Sequence, residues 1–139
     1  MNQVAILYPA IALAALTFAV LLLIPYQRFK ATINKRVAVD DFKFGESENV
    51  PPEVSIPNRN YMNLLELPML FYVVCLAMFV TKTVAPLALG LAWGYVALRS
   101  VHSFVHLTYN NVMHRVTFFA LSNLVLVTLW VLLALDLSA

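Results

Sequence analysis

The sequence predicts an all-α fold: an integral membrane four-helix bundle. Three observations predict it. Of the 139 residues, 62% are hydrophobic and only 12% charged, whereas soluble domains carry about 45–50% apolar and about 25% charged residues. The mean hydropathy is +0.81, so the chain has too few polar residues to cover a surface in water, and lipid is the natural solvent for the excess. The apolar residues also gather into four long runs, each long enough to cross a hydrocarbon core of about 30 Å at about 1.5 Å per residue.

The predicted helices cover about residues 4–25, 60–80, 84–108 and 112–136, within a single domain over 1–139. The first run, Val4 to Ile24, is uncharged, with Pro9 in its first turns, where a missing N–H is tolerated. It does not read as a cleaved leader. Met1 to Gln27 holds no Lys or Arg, and the run exceeds the usual apolar stretch of about 7–15 residues. The second run, from Tyr61 to Val80, is interrupted by Glu66 and by Pro68, which predicts a kink. The third, Val84 to Thr108, opens on Pro86 and carries Arg99, His102 and His106 in its second half. The fourth, Val116 to Leu135, has no charge.

The connections differ. Residues 27–58 form a polar loop with Arg28, Lys30, Lys35, Arg36 and Lys43, five acids, and Pro51, Pro52 and Pro57 near its end. The links around Thr81–Thr83 and Tyr109–Asn111 are short, which predicts antiparallel neighbours. Six of the nine Lys and Arg residues lie in or beside the first loop, Arg99 and Arg115 flank the third link, and only Lys82 lies opposite. The basic residues therefore place the first and third connections in the cytoplasm and both termini on the non-cytoplasmic side of an inner or plasma membrane. The net charge of +2 gives no basis for a nucleic-acid partner. Cys75 stands alone within an apolar run, so no internal disulfide forms and the residue reads as filler.

This topology gathers the polar residues of three helices at one depth. Arg59, Asn63 and Glu66 follow at steps of four and three, so they share one helical stripe. Tyr95, Arg99, His102, His106 and Tyr109 follow at steps of four, three, four and three. His114, Arg115 and Ser122 continue the cluster on the fourth helix. One Arg at the centre of a membrane helix costs about 2.5–3.5 kcal/mol on insertion scales, so such stripes must face one another, water or a ligand. Two readings follow: internal ion pairs such as Glu66 with Arg99 that lock helices together, or a site for an anionic ligand. The excess of Arg59, Arg99 and Arg115 over the single Glu66 supports the second, since arginine forks suit carboxylates. His102 and His106, four apart, have metal-chelating spacing, but with only one intramembrane carboxylate and no Cys beside them no metal is expected. Gly90 and Gly94 have the spacing that permits close helix packing.

The segment from Arg59 to Pro68, with Arg59, Asn63 and Glu66 in register, resembles the second-helix signature of the MAPEG family, the membrane-associated proteins in eicosanoid and glutathione metabolism, in a bacterial-type member. That signature reads Arg, Asn four later, Glu three later, then a nearby Pro, and Pro68 comes one residue early. The stretch from Arg99 through His102 and His106 to Arg115 resembles the family's second signature, and the resemblance spans nearly the whole chain. It implies a homotrimer that binds glutathione between subunits, with Arg28, Arg59 and Arg99 on its carboxylates and Asn63 and Glu66 on its polar backbone and amino group. His102 and Tyr109 complete the implied binding set, and Arg115 with His106 is the implied catalytic pair, Arg115 stabilising the thiolate. The family usually has tyrosine where His106 stands; histidine can donate instead, and Tyr109 one turn on is the alternative. The implied activity is a glutathione transferase or peroxidase acting on a lipophilic electrophile or hydroperoxide, with membrane lipid as the surroundings. The competing readings are a non-catalytic membrane protein or an accessory subunit of a larger membrane complex, and, last, a small transporter built around Glu66 and the histidines.

Overall fold

A computed structural model describes residues 2–138, which are helical almost throughout. A 3-10 turn, Gln3–Ile6, leads into α1, Leu7–Ile33. The hydropathy pattern ends this helix near residue 25, but the backbone continues for two more turns because Gln27, Arg28 and Lys30 are good helix formers. Hydropathy marks where the apolar face stops, not where the hydrogen-bond ladder stops. The polar connection is therefore shorter than residues 27–58 and covers residues 34–51, with a 3-10 turn at Val39–Phe42. It is tied down by a small core of Ala31, Val37, Val50 and Val54 with Phe42 packed on it. Arg28 pairs with Glu46 at 3.2 Å, and Arg36 pairs with Glu53.

The second apolar run folds as two helices, α2, Pro52–Leu65, and α3, Pro68–Thr81. Pro68 has no N–H to give to the carbonyl of Leu64 and crowds the preceding turn, so the ladder breaks. The chain resumes with tighter bonds, Met69 N–H to the Glu66 carbonyl at 3.1 Å and Leu70 N–H to that of Leu67 at 3.0 Å. At the far end of α3, Lys82 takes a left-handed conformation (φ 59°) and Thr83 N–H reaches back five residues to Met78 at 3.1 Å. This closes the helix and turns the chain back into α4, Pro86–Leu107, followed by α5, Val112–Ser138; α4 packs against α5, α1 and α2.

Val84 N–H donates to Oε1 of Gln3 at 2.9 Å, so the start of α1 sits beside the turn between α3 and α4. The described termini thus share one end of the bundle, and residues 34–51 and 108–111 share the other. Three helical stretches, Gln3–Ile33, Pro52–Thr81 and Val112–Ser138, are long and apolar enough to cross a membrane. α4 has the length, 22 residues, but carries the polar stripe on its buried face. Leu13, Phe71, Cys75, Met78, Ala92 and Leu129 lie in the main core, while Phe18, Leu22, Val80 and Leu124 point outward, as lipid-facing residues should. Close packing of α4 comes from Ala88 and Ala92, both buried. Gly90 and Gly94 do not serve it within the subunit, since a Cβ at either would meet nothing within 4 Å.

The break at Pro68 sets the direction of α2 and everything it carries. In Pro68→Ala the restored donor is expected to close onto the Leu64 carbonyl, slowing amide exchange at residues 67–70. Exchange as fast as in the unsubstituted protein would assign the kink to packing instead of the proline.

Candidate functional site

The α4 stripe turns inward as its spacing predicts. Tyr95, Arg99, His102 and His106 are all buried, with Arg99 wholly so at 0% exposure. Facing them are the last turns of α2 and the first turns of α5. Where the helix breaks after Leu65, the carbonyl of Asn63 has lost the donor an unbroken helix would give it. Arg99 fills that gap: its Nη2 donates to the Asn63 carbonyl at 2.7 Å and to Asn63 Oδ1 at 3.0 Å. The guanidinium lies between the rings of Tyr95 and Phe119, at 6.0 and 5.7 Å from their centroids. One turn toward the loop end, Ser103 donates to Oδ1 of Asn60 at 3.3 Å, a second buried bond between α4 and α2.

Arg115 enters from α5. Its Nη1 donates to Oδ1 of Asn110 at 2.8 Å. Asn110 is itself held in a left-handed conformation (φ 49°), with its N–H on the Val105 carbonyl at 2.8 Å. The turn that joins α4 to α5 therefore also aims the arginine. Asn63, His102, Arg115 and Phe119, with Val112 and Val116 of α5, line an open cavity of about 200 Å³. His106 lies next to His102, ring centroids 5.9 Å apart, and within electrostatic reach of Arg115 and Arg59.

This neighbourhood is rich in donors and poor in acceptors. The donors Arg99 Nε and Nη1, Arg115 Nε and Asn60 Nδ2 are buried without a hydrogen-bond partner, as are Tyr95 OH and one ring nitrogen on each of His102 and His106, which can donate or accept. Each such group costs about 1–3 kcal/mol if it stays unsatisfied. Among the described residues the ion pairs are Arg28 with Glu46 and Arg36 with Glu53, so no carboxylate neutralises Arg99 or Arg115. Glu66 is exposed and acts on Arg99 only through space. The reading of the stripe as a helix lock through a Glu66–Arg99 pair is therefore not what the fold contains. The lock is the arginine on a backbone carbonyl, which leaves most of its charge unspent. No three His, Cys, Asp or Glu side chains converge among the described residues.

Of the residues the sequence singled out, the fold brings together Asn63, Arg99, His102, His106 and Arg115. Arg59 is exposed on the same end of α2. Arg28 lies elsewhere, held by Glu46 and stacked over Phe42 at 4.8 Å from its centroid. Tyr109 points outward, its hydroxyl bonded to His114 Nδ1 at 2.9 Å. Four residues escaped the sequence reading: Asn60, Ser103, Asn110 and Phe119. Ser103 stands four after Arg99 and Asn60 three before Asn63, so helical spacing carries both. Asn110 and Phe119 act through the geometry of a turn and of a ring face, for which the sequence has no marker.

The family model described as the MAPEG family matches residues 6–135, nearly the entire chain and all the residues just placed. No curated protein and no solved structure matched. The four-helix membrane architecture and the match from the first helix to the last agree: the chain belongs to the MAPEG family.

Proposed function

We propose that the cavity between α2, α4 and α5 is one wall of a glutathione site, and that the protein is a glutathione transferase or peroxidase acting on a lipophilic electrophile or hydroperoxide from the bilayer. Family membership supports a membrane protein of glutathione-related function in general. The observation that carries the finer reading is the surplus of buried, unpartnered donors around two unneutralised arginines. A tripeptide with two carboxylates and several carbonyls supplies the acceptors that this surface lacks.

Size supports a shared site. Pockets that enclose small molecules measure about 300–1,000 Å³, and this cavity is about 200 Å³. One subunit thus provides part of an enclosure. The exposed Arg59 and Glu66 suit residues that complete it across a subunit boundary, as in a homotrimer. The excess of Lys and Arg at the loop end supports a cytoplasmic position for this wall, with both termini opposite.

Glutathione would supply a thiol nucleophile. Arg115, aimed by Asn110, would hold the negative charge of the thiolate and so raise the fraction ionised at neutral pH. His106, or Tyr109 after a turn of its side chain, would donate a hydrogen bond near the sulfur. Arg99 would act mainly as the support that fixes Asn63 at the cavity wall. The lipid-facing side of α5 leaves an apolar approach for the second substrate.

Four outcomes are expected. Arg115→Ala should lower turnover of a generic electrophile roughly tenfold to hundredfold at neutral pH, as a thiol pKa shift of about 1–2 units implies. Removing the cation raises the thiol pKa, so the lost rate should return as pH rises. A loss that is the same at every pH would mean that Arg115 does not act on the thiol. Asn110→Gly, which removes the amide but suits the left-handed backbone at this position, should give the same pattern more weakly, with little change in melting temperature in detergent. Native mass spectrometry should give three chains per particle, and calorimetry should give glutathione binding that Arg59→Ala and Glu66→Gln weaken; binding without turnover would favour a non-catalytic role.

A further inference from the structure

The loop end of α1 carries a surface that the glutathione reading leaves unused. Helix α1 has 27 residues, about 40 Å at about 1.5 Å per residue, against a hydrocarbon core of about 30 Å. A tilt of about 20° leaves most of the excess in place. Gln3 fixes the other end beside the α3–α4 turn, so the extra turns, from about residue 26 to Ile33, project into the headgroup layer.

These turns are amphiphilic. Tyr26, Phe29 and Ile33 are exposed by 59%, 68% and 78%, and with Lys30 they lie on one face at helical spacing. Lys30 sits over the Tyr26 ring at 5.9 Å, and in the following loop Lys43 sits over Phe44 at 5.5 Å, with Phe44 exposed by 95%. Two grooves flank Phe29: one of about 380 Å³ under Val39 and Phe42, the other of about 500 Å³ between Tyr26, Lys30 and Ile33.

The charges of this region are sorted by type. Arg28 and Arg36 are each paired with a carboxylate, from Glu46 and Glu53. Asp41 is occupied within the loop, accepting from Ser47 Oγ at 2.8 Å and from Ala38 N–H at 2.9 Å. Lys30, Lys35 and Lys43 are exposed and have no ion-pair partner among the described residues, and neither do the exposed Asp40 and Glu48, so three unpaired cations stand against two unpaired anions. The arginines are spent on holding the loop, and Lys30 and Lys43 are left beside exposed aromatic rings.

We propose that this face is a binding surface for anionic phospholipid: acyl chains occupy the grooves beside Phe29, and Lys30, Lys35 and Lys43 hold the phosphate headgroups. Aromatic side chains at the membrane interface and lysines against an anionic surface are the two parts such recognition needs. The proposal is independent of glutathione, and its test contains none.

The detergent-purified protein is titrated with phosphatidylglycerol and with phosphatidylcholine, and bound lipid is counted by native mass spectrometry. Phosphatidylglycerol should be retained preferentially, and the preference should fall as salt rises. Each lysine is expected to contribute roughly fivefold, so the triple substitution Lys30→Gln, Lys35→Gln, Lys43→Gln should lower the preference at least tenfold. The corresponding triple change to arginine should keep it. The same spectra count chains per particle. A retained preference in the glutamine variant, or none in the unsubstituted protein at low salt, overturns the proposal. A change in subunit number with lipid retention unaltered also overturns it, and assigns the face to contact between copies of the chain.

Discussion

The bond from Arg99 to the backbone of Asn63 is the constraint on which the rest of the bundle depends. A guanidinium in an apolar bundle must find acceptors, and a helix broken by proline must find donors for the carbonyls it frees. Each defect answers the other, at 2.7 Å. The pairing holds α2 against α4 at a fixed height, and with it the depth of Asn63, the guanidinium beside the Phe119 ring and the cavity reached by Arg115. Removing either defect alone would leave a buried polar group without a partner.

The same bond explains why the site is positively charged. Had Arg99 been satisfied by Glu66, the pair would be neutral and the helices locked with nothing left to offer. By spending one Nη on a neutral carbonyl and amide oxygen, the arginine keeps its charge and two further nitrogens unpartnered. Arg115 repeats the arrangement with Asn110. Asparagine oxygens position both cations without cancelling them, which is what a surface for an anionic ligand requires. The loop 34–51 follows the opposite rule: there Arg28 and Arg36 meet true carboxylates and serve only to hold the chain.

Much of this was legible in the sequence, for a physical reason. In lipid, a polar side chain has few places to go, so the α4 residues from Tyr95 to His106 had to face inward; of the α2 stripe Asn63 meets them, while Arg59 and Glu66, like Tyr109 at the end of the α4 stripe, are exposed. Chain ends and turns were less legible. The two extra turns of α1 lie outside the apolar run, and polar helix formers look like loop. Lys82 and Asn110 adopt left-handed conformations with no glycine to mark them. Arg28 has the charge of a ligand residue, and only the fold places it against Glu46 and Phe42. Asn60 and Ser103 were overlooked because small polar residues give weak signals until both are seen buried together.

The polarity of α4 also bears on how the chain enters a membrane. It is the one long helix outside the three stretches apolar enough to cross by length and composition, because Arg99, His102 and His106 lie on it. Leaving the insertion machinery alone, it would present those groups to acyl chains. The short turn at residues 108–111, with Asn110 bonded back to Val105 and Asn111 capping His114, makes a helical hairpin with the apolar α5. Partitioning as that hairpin, with α2 in place to receive Arg99, would give α4 a route into lipid that it lacks as a single segment.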